Sequence, residues 1–538
     1  MVQDSFNAAP APAALVYEGH NCLRERLCLS VLSGKDIWVR HIREDPSVID
    51  AADGAAAALP GLQQHEASFI RLLCKVTEGS EVYIHPTGTS LRFRPGLLLG
   101  VRAGATHTAV GQSNAAAVAA AAPVVHNCHE SRGISYYLEP LLYLAPFCKY
   151  RMSVLLRGVT DAAAADASVD FLRLQQIPLL QQLLKQWGGA VAAAAAASPP
   201  EIKVHCRGLP GSPFGVITFK GPEVARGDLQ PFTLAGAVAA APVKRVRGVA
   251  FAAGASAAFP RRAVCAARGL LNMLLPDVWV YVEDALKIGG GGVKRAAAVA
   301  AATAEGKGDT QQHQLQQLLH EQKQKLKSSK VAAMGMVLVA ENIKGGCRAA
   351  GDAIFLDPVA ATDAAAAPPS AADTVAAASR ATGNVKLQHL LQAEAATKAA
   401  ASTEETLATP EEQLGLRVAR LLLLQLLLGG AVPPRGQKMA LLFAALAGDH
   451  APSKVLLSRL TPSTVGFLRL LRDFFGVAFT FEQQEQGTKE QLQQQDSDED
   501  GEDFSNTKRD EPLDLSWAPQ VLASCVGIGY KNTNVSSF

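Results

Sequence analysis

The chain has 538 residues, 48% of them hydrophobic, yet much of that fraction is alanine in low-complexity runs, so the foldable part is shorter than the length implies. Its 51 basic and 49 acidic residues leave a formal charge of +2, which excludes a global field for nucleic acid and confines any such contact to local patches. Nine cysteines, never paired as Cys-x-x-Cys, read as reduced thiols of an intracellular protein, and no apolar run is long enough to span a bilayer.

Residues 1–14 read as a disordered N-terminus without a basic, apolar leader pattern. Leu23, Leu27 and Val31 then form one helical stripe ending at Ser33-Gly34, and an alternating strand follows over 37–42. A helix over 64–75 buries Phe69, Leu72, Leu73 and Val76 and turns Arg71 and Lys75 away, with strands at 81–85 and 91–93. The unit recurs as helix 133–147, strand 152–157, helix 169–187 and strands 202–207 and 216–219. Repetition of this kind predicts an α+β fold of repeated βα units, with helices on one face of each sheet.

Residues 15–242 thus make the first part of a large domain. Residues 243–428 read as a smaller α+β insert domain: a basic strand at 243–248, a helix at 261–275, strands at 278–282 and 335–340, and a long helix at 413–428. The large domain resumes over 429–538. Alanine-, glutamine- or glycine-rich filler at 51–58, 103–122, 162–167, 190–200, 289–329, 358–410 and 482–515 reads as loops or disordered insertions. Within it, 311–327 has helical leucine spacing and 496–503 is an acidic block.

Several ordered segments carry a resemblance: residues 17–34, 66–73 with 87–96, and 155–160, joined by 132–139, 144–147 and the terminal Cys525-Val-Gly-Ile-Gly529. Together they resemble the eukaryotic, non-cyclase branch of the RNA 3'-terminal phosphate cyclase family. The resemblance implies a large cyclase-type domain interrupted by a smaller insert domain. It also implies a comparison with enzymes in which a histidine takes AMP from ATP, passes it to an RNA 3'-phosphate, and is followed by 2'-hydroxyl attack.

By that resemblance the histidine's place is taken by Ser463, behind a Thr461 N-cap and Pro462, on a helix carrying Val465, Leu468, Leu471 and Phe475. The enzymes' Glu-Gly-Gly-Gly-Gln loop becomes Tyr17-Glu-Gly-His-Asn21, which loses glycines that a close phosphate needs. The resemblance therefore implies a non-catalytic factor in small-subunit pre-rRNA processing, in the nucleus and nucleolus. Its implied partners are a ribosome-assembly GTPase, the small-subunit processome and pre-rRNA, with no cofactor and no membrane.

Two enzymatic alternatives stand beside it. A cyclase with a relocated nucleophile would need His450 or another histidine beside an ATP pocket. A site-specific endoribonuclease would use Arg469 and Arg472, although Leu470 stands where the resemblance places an acid. Anion or RNA contacts fall to Arg24, Arg40, Arg43, Arg92, Arg94, Arg132, Arg157, Lys244, Arg245, Arg247, Arg469 and Arg472, since guanidinium forks match phosphate oxygens. Arg92 and Arg94, two apart on a strand, share a face. His126, Cys128 and His129 lie close in sequence but lack a fourth metal ligand, so no metal site is expected.

Overall fold

The computed structural model describes residues 14–44, 60–100, 123–161, 166–210, 215–222, 229–235, 242–253, 258–284, 333–342, 347–356, 409–484 and 520–532. Its first repeat opens with β1 (Leu15–Glu18) and α1 (Leu23–Ser33), which Gly34 closes at a φ of 71°. Then come β2 (Ile37–Arg40) and α2 (Gln64–Val76), where Gln63 and Glu66 form a capping box. β3 (Thr77–Glu78), β4 (Glu81–Ile84), β5 (Leu91–Arg94) and β6 (Leu97–Leu98) follow, β3 pairing with β6 in a small ladder. The main sheet has the order β1-β2-β5-β4, with the first pair parallel and the others antiparallel.

The second repeat contains β7 (Val124–Asn127), α3 (Ile134–Leu144), β8 (Ser153–Gly158) and α4 (Val169–Phe171). A π-turn at Leu172–Gln176 carries α4 into α5 (Ile177–Gln186), beside Pro178, whose missing N–H is a recognised cause of such a break. α6 (Gly189–Ala197), β9 (Glu201–Cys206) and β10 (Gly215–Lys220) complete it, in the order β7-β8-β10-β9. The third repeat starts at β11 (Thr233–Leu234). Before it continues, the chain builds β12 (Val243–Ala253), α7 (Ala258–Leu271), β13 (Val278–Asp284), β14 (Ala333–Asn342), β15 (Cys347–Leu356) and α8 (Pro410–Leu428). It then resumes with α9 (Gln437–Leu446), β16 (Pro452–Leu457), α10 (Pro462–Phe475), β17 (Thr480–Gln484) and β18 (Gln520–Val526).

The third sheet, β11-β16-β18-β17, repeats the strand order of the first two. Helices of all three repeats meet in one core, where α9 is buried from Met439 to Leu446; a helix apolar all round belongs in such an interior. The fourth sheet, β13-β12-β14-β15, has its own core, where Val246, Ala250, Met336 and Leu338 face Ala263 and Leu271 of α7 and Leu414, Val418 and Leu422 of α8. No helix among the described residues is long and apolar enough to cross a membrane.

The structure departs from the sequence-based expectations at several places. The alanine run at 190–200 lies largely in α6, because alanine has the highest helix propensity. β7 and β15 have no counterpart in the expected elements, β17 extends into the segment read as an acidic loop, and Asp166 and Ala167 of the third filler segment are ordered. On α10 the buried stripe is Thr464, Phe467, Leu470, Leu471 and Phe474, whereas Val465 is 37% exposed, since the helix is packed by both α1 and α9. The leucine-spaced segment at 311–327 and the acidic block at 496–503 lie outside the described residues.

Candidate functional site at converging helix starts

Successive residues on an α-helix point about 100° apart, so the first turn of α1 reaches several neighbours at once. Arg24 faces α3, where Nη1 donates to the Tyr136 carbonyl at 2.8 Å. Pro140 has no N–H, so the carbonyl four residues earlier lacks its helical donor, and that carbonyl belongs to Tyr136. Arg24 therefore fills a vacancy that a proline inside the helix created. The same guanidinium lies 4.2 Å from the Tyr136 ring centroid and 3.7 Å from Glu139.

Glu25 faces α9, where its carboxylate accepts a 2.6 Å hydrogen bond from Lys438 Nζ. Burial favours the protonated acid, but Lys438 and Arg24 outweigh it and hold Glu25 down to about 2. Arg26 turns back on β1, donating to the Gly19 and Glu18 carbonyls at 2.8 and 3.4 Å and stacking on Tyr17 at 4.7 Å. In the Tyr17-to-Asn21 loop, the carbonyls of Glu18 and Gly19 are thus bound by the chain's own arginine. Cys22, in the left-handed region at φ 55°, caps α1 against α10, where a Cβ on Gly466 would stand 3.4 Å from its Sγ.

α10 begins at the same end. Thr461 Oγ1 accepts from the Thr464 N–H at 3.1 Å with Pro462 at the first helical position, as expected. The Thr464 hydroxyl donates to Gln437 Oε1 at 3.0 Å, which ties the start of α10 to the start of α9. Three helix N-termini, those of α1, α9 and α10, therefore converge, and each carries partial positive charge. Ser463 stands there exposed, and its hydroxyl makes no hydrogen bond among the described residues. An unassisted serine hydroxyl is a weak nucleophile. His450 lies beyond the other end of α9, a ten-residue helix of about 15 Å, beside Gly448.

A histidine that the sequence reading passed over does border the cluster. The His65 ring meets Tyr136 edge-on at 5.1 Å, and its Nδ1 lies 3.3 Å from Ser131 Oγ. Burial, with Arg132 and Arg43 nearby, pushes it down to about 4 and keeps it neutral.

Of the other candidates, Arg132 joins the cluster. Its guanidinium lies 4.6 Å from the Tyr136 ring and pairs bidentately with Asp166 at 2.9 and 2.7 Å, while Asp166 also accepts from the Gly133 N–H at 2.8 Å. Arg43 pairs bidentately with the buried Glu66 at the start of α2, both bonds at 2.9 Å. Arg24, Arg43, Arg132 and Lys438 are thus met by Glu139, Glu66, Asp166 and Glu25. The remaining residues are elsewhere. Arg157 is on the second sheet, and Arg40, Arg92 and Arg94 are on the outer face of the first. Arg245 pairs with Glu341 and Arg247 with Asp277, both at 2.6 Å, and Lys244 is exposed, all on the fourth sheet. Arg469 and Arg472 are exposed on α10, and Leu470 between them is buried. His126 bonds Ser68 at 3.0 Å and His129 bonds Ser131 at 2.9 Å, so the two rings turn to separate partners.

Sequence reasoning missed Glu25, Lys438, Tyr136 and Asp166. Pro140 seven residues into a predicted helix was the available signal, since it announces a carbonyl in need of a donor.

The family model for RNA 3'-terminal phosphate cyclase matches residues 15–481, and the chain belongs to that family. The human RNA 3'-terminal phosphate cyclase-like protein is 31% identical over 519 residues, covering 96% of this chain and 97% of the relative. A Drosophila melanogaster protein, probable RNA 3'-terminal phosphate cyclase-like protein, is 30% identical over 520 residues, or 97% and 96%. The Schizosaccharomyces pombe rRNA processing protein rcl1 is 34% identical over 267 residues, which is 50% of this chain and 61% of that one.

Proposed function

We propose that the chain is a non-catalytic, RNA-associated factor in the processing of small-subunit pre-rRNA. On this reading it works in the nucleolus as a component of the small-subunit processome, together with a ribosome-assembly GTPase. The observation that carries the reading is Ser463: an exposed hydroxyl without a base, at helix starts suited to an anion, where the resemblance places the nucleophile. Relatives named cyclase-like, and one named for rRNA processing, support the same direction. Residues 243–428 act as an insert domain with a core of their own, in support of which the fourth sheet packs on α7 and α8.

The test is incubation of the purified chain with ATP labelled in the α-phosphate, followed by denaturation. No covalent AMP is expected on the protein, while structured pre-rRNA fragments bind with an affinity that falls as salt rises. A denaturation-stable adduct overturns the reading. Its loss in His65→Ala would then name the relocated nucleophile, His65 being the histidine that borders the cluster.

A further inference from the structure

We propose that the outer face of the first sheet is a stacking platform for single-stranded RNA, separate from the helix starts around Arg24. The strand registers place Val16, Trp38, Arg92 and Tyr83 in one row across β1, β2, β5 and β4. Leu15, Ile37, Val39, Leu91 and Phe93 point the other way into the core, so the row faces outward. Val16 is 46% and Tyr83 44% exposed.

The charges on this face are interleaved with its rings. The Arg40 guanidinium stacks on Trp38 at 3.5 Å from the ring centroid, and Arg92 approaches the same ring at 6.0 Å. Trp38 is held in place by a 2.9 Å hydrogen bond from Nε1 to Ser90 Oγ. Arg94 lies farther along β5, 3.6 Å from Glu81, in a pair exposed enough for phosphate to displace. Glu18, level with Arg40, and Glu81 are the acidic groups of these four strands on this face.

Equivalent rows in the other repeats make the contrast. The second sheet places Val125, Leu155, Thr218 and Lys203 there, and the third Thr233, Lys454, Ser524 and Thr480. The same backbone, used three times, carries two aromatic rings and arginine in this row on the first sheet alone. Flat rings and guanidinium planes between fixed cations are what unpaired bases stack on while their phosphates are neutralised. A protein partner would find this surface broken by arginine at every second step, so RNA is the better occupant.

The platform rests on the reading that the chain works on RNA, and the two can fail separately. The experiment titrates the full chain into a fluorescein-labelled ten-nucleotide oligouridine and, in parallel, into a structured pre-rRNA hairpin, following anisotropy at two salt concentrations. Tyr83→Ala is expected to weaken oligouridine binding by about 5- to 100-fold, with Tyr83→Phe restoring it because the ring is what matters. Arg94→Gln is expected to lower the salt dependence by about one phosphate contact. Both positions are exposed, so each variant should keep the wild-type circular dichroism spectrum. Unchanged oligouridine affinity in Tyr83→Ala overturns the platform; if the hairpin still binds, the processing role stands. Failure of the wild-type chain to bind either RNA overturns both. Tyr83→Ala that loses capture of a protein while keeping oligouridine binding assigns the face to that protein and overturns the platform.

Discussion

Glu25 and Lys438 show what one residue pair contributes to the candidate site. Both are largely buried, and their 2.6 Å contact joins positions 413 apart in sequence. A carboxylate held down to about 2 supplies stability that is present above the unfolded value of about 4.3 and is lost as pH falls through about 2. Lys438→Met should therefore cost about 3 kcal/mol at pH 7, because it leaves a buried charge unpaired. The penalty should shrink as pH falls toward 4, where the variant's unpaired carboxyl takes up its proton while the wild-type carboxylate, held down to about 2, stays charged. Denaturant unfolding of both proteins at pH 7, 5 and 4 checks this: a penalty independent of pH would show that lysine packing, not the ion pair, was lost. Adding Glu25→Gln to Lys438→Met should recover most of the stability at pH 7.

At the scale of the element, α10 bears on the choice between binding and cleavage chemistry. Leu470 occupies the position that the nuclease alternative needs as an acid, yet it is 5% exposed and packs in the main core with Phe467, Leu471 and Phe474. Leu470→Asp is expected to destabilise the fold by about 3 kcal/mol or more, since an unpaired carboxylate would be buried, and to bring no cleavage of pre-rRNA. Thermal unfolding and a denaturing gel of incubated RNA measure both outcomes; an unaltered melting temperature with new cleavage would reverse the assignment. The register of α10 also marks the limit of what the sequence discloses. Thr461, Pro462 and the helix itself were readable, because cap and propensity signals are local. Which residues face the core was not, because the buried arc depends on where α1 and α9 lie, and Val465 falls outside it. Repeat architecture was readable for the same local reason, each unit carrying its own periodicity. The site was readable only in part: Arg24, Arg132 and Ser463 stood among the candidates, but Arg24 meets Tyr136 across 112 positions, and Asp166 sat inside an alanine run.

Across the whole molecule, the fourth sheet is fastened to the second repeat by a buried arginine. Arg207 is 1% exposed, pairs with Asp161 and Asp170, reaches Glu283 of β13, and lies 3.9 Å from the Phe251 ring of β12. Asp352 of β15 adds a second fastening, accepting a 2.7 Å hydrogen bond from the Ser168 N–H at the start of α4. Arg207→Ala would leave Asp161 and Glu283 without an ion-pair partner, Asp170 keeping Arg173 at 2.7 Å, and a loss of about 3–5 kcal/mol is expected. Because two cores are joined there, melting should also separate into two steps, which calorimetry resolves. Asp352 gives the joint a pH dependence of the opposite sense to Glu25. Burial, and to a lesser degree Asp161, raises its acid to about 6 against the pull of the Ser168 N–H and Arg435. Stability from its neutral form is present below the unfolded value of about 3.9 and is lost as pH rises through about 6. Asp352→Asn keeps an acceptor for Ser168 without the charge, so it should match the wild type near pH 4 and exceed it by about 1–2 kcal/mol at pH 8. If the two proteins melt alike at pH 8, Asp352 carries its charge there without cost, and the pH sensitivity of the joint must come from Asp161 and Arg207 instead.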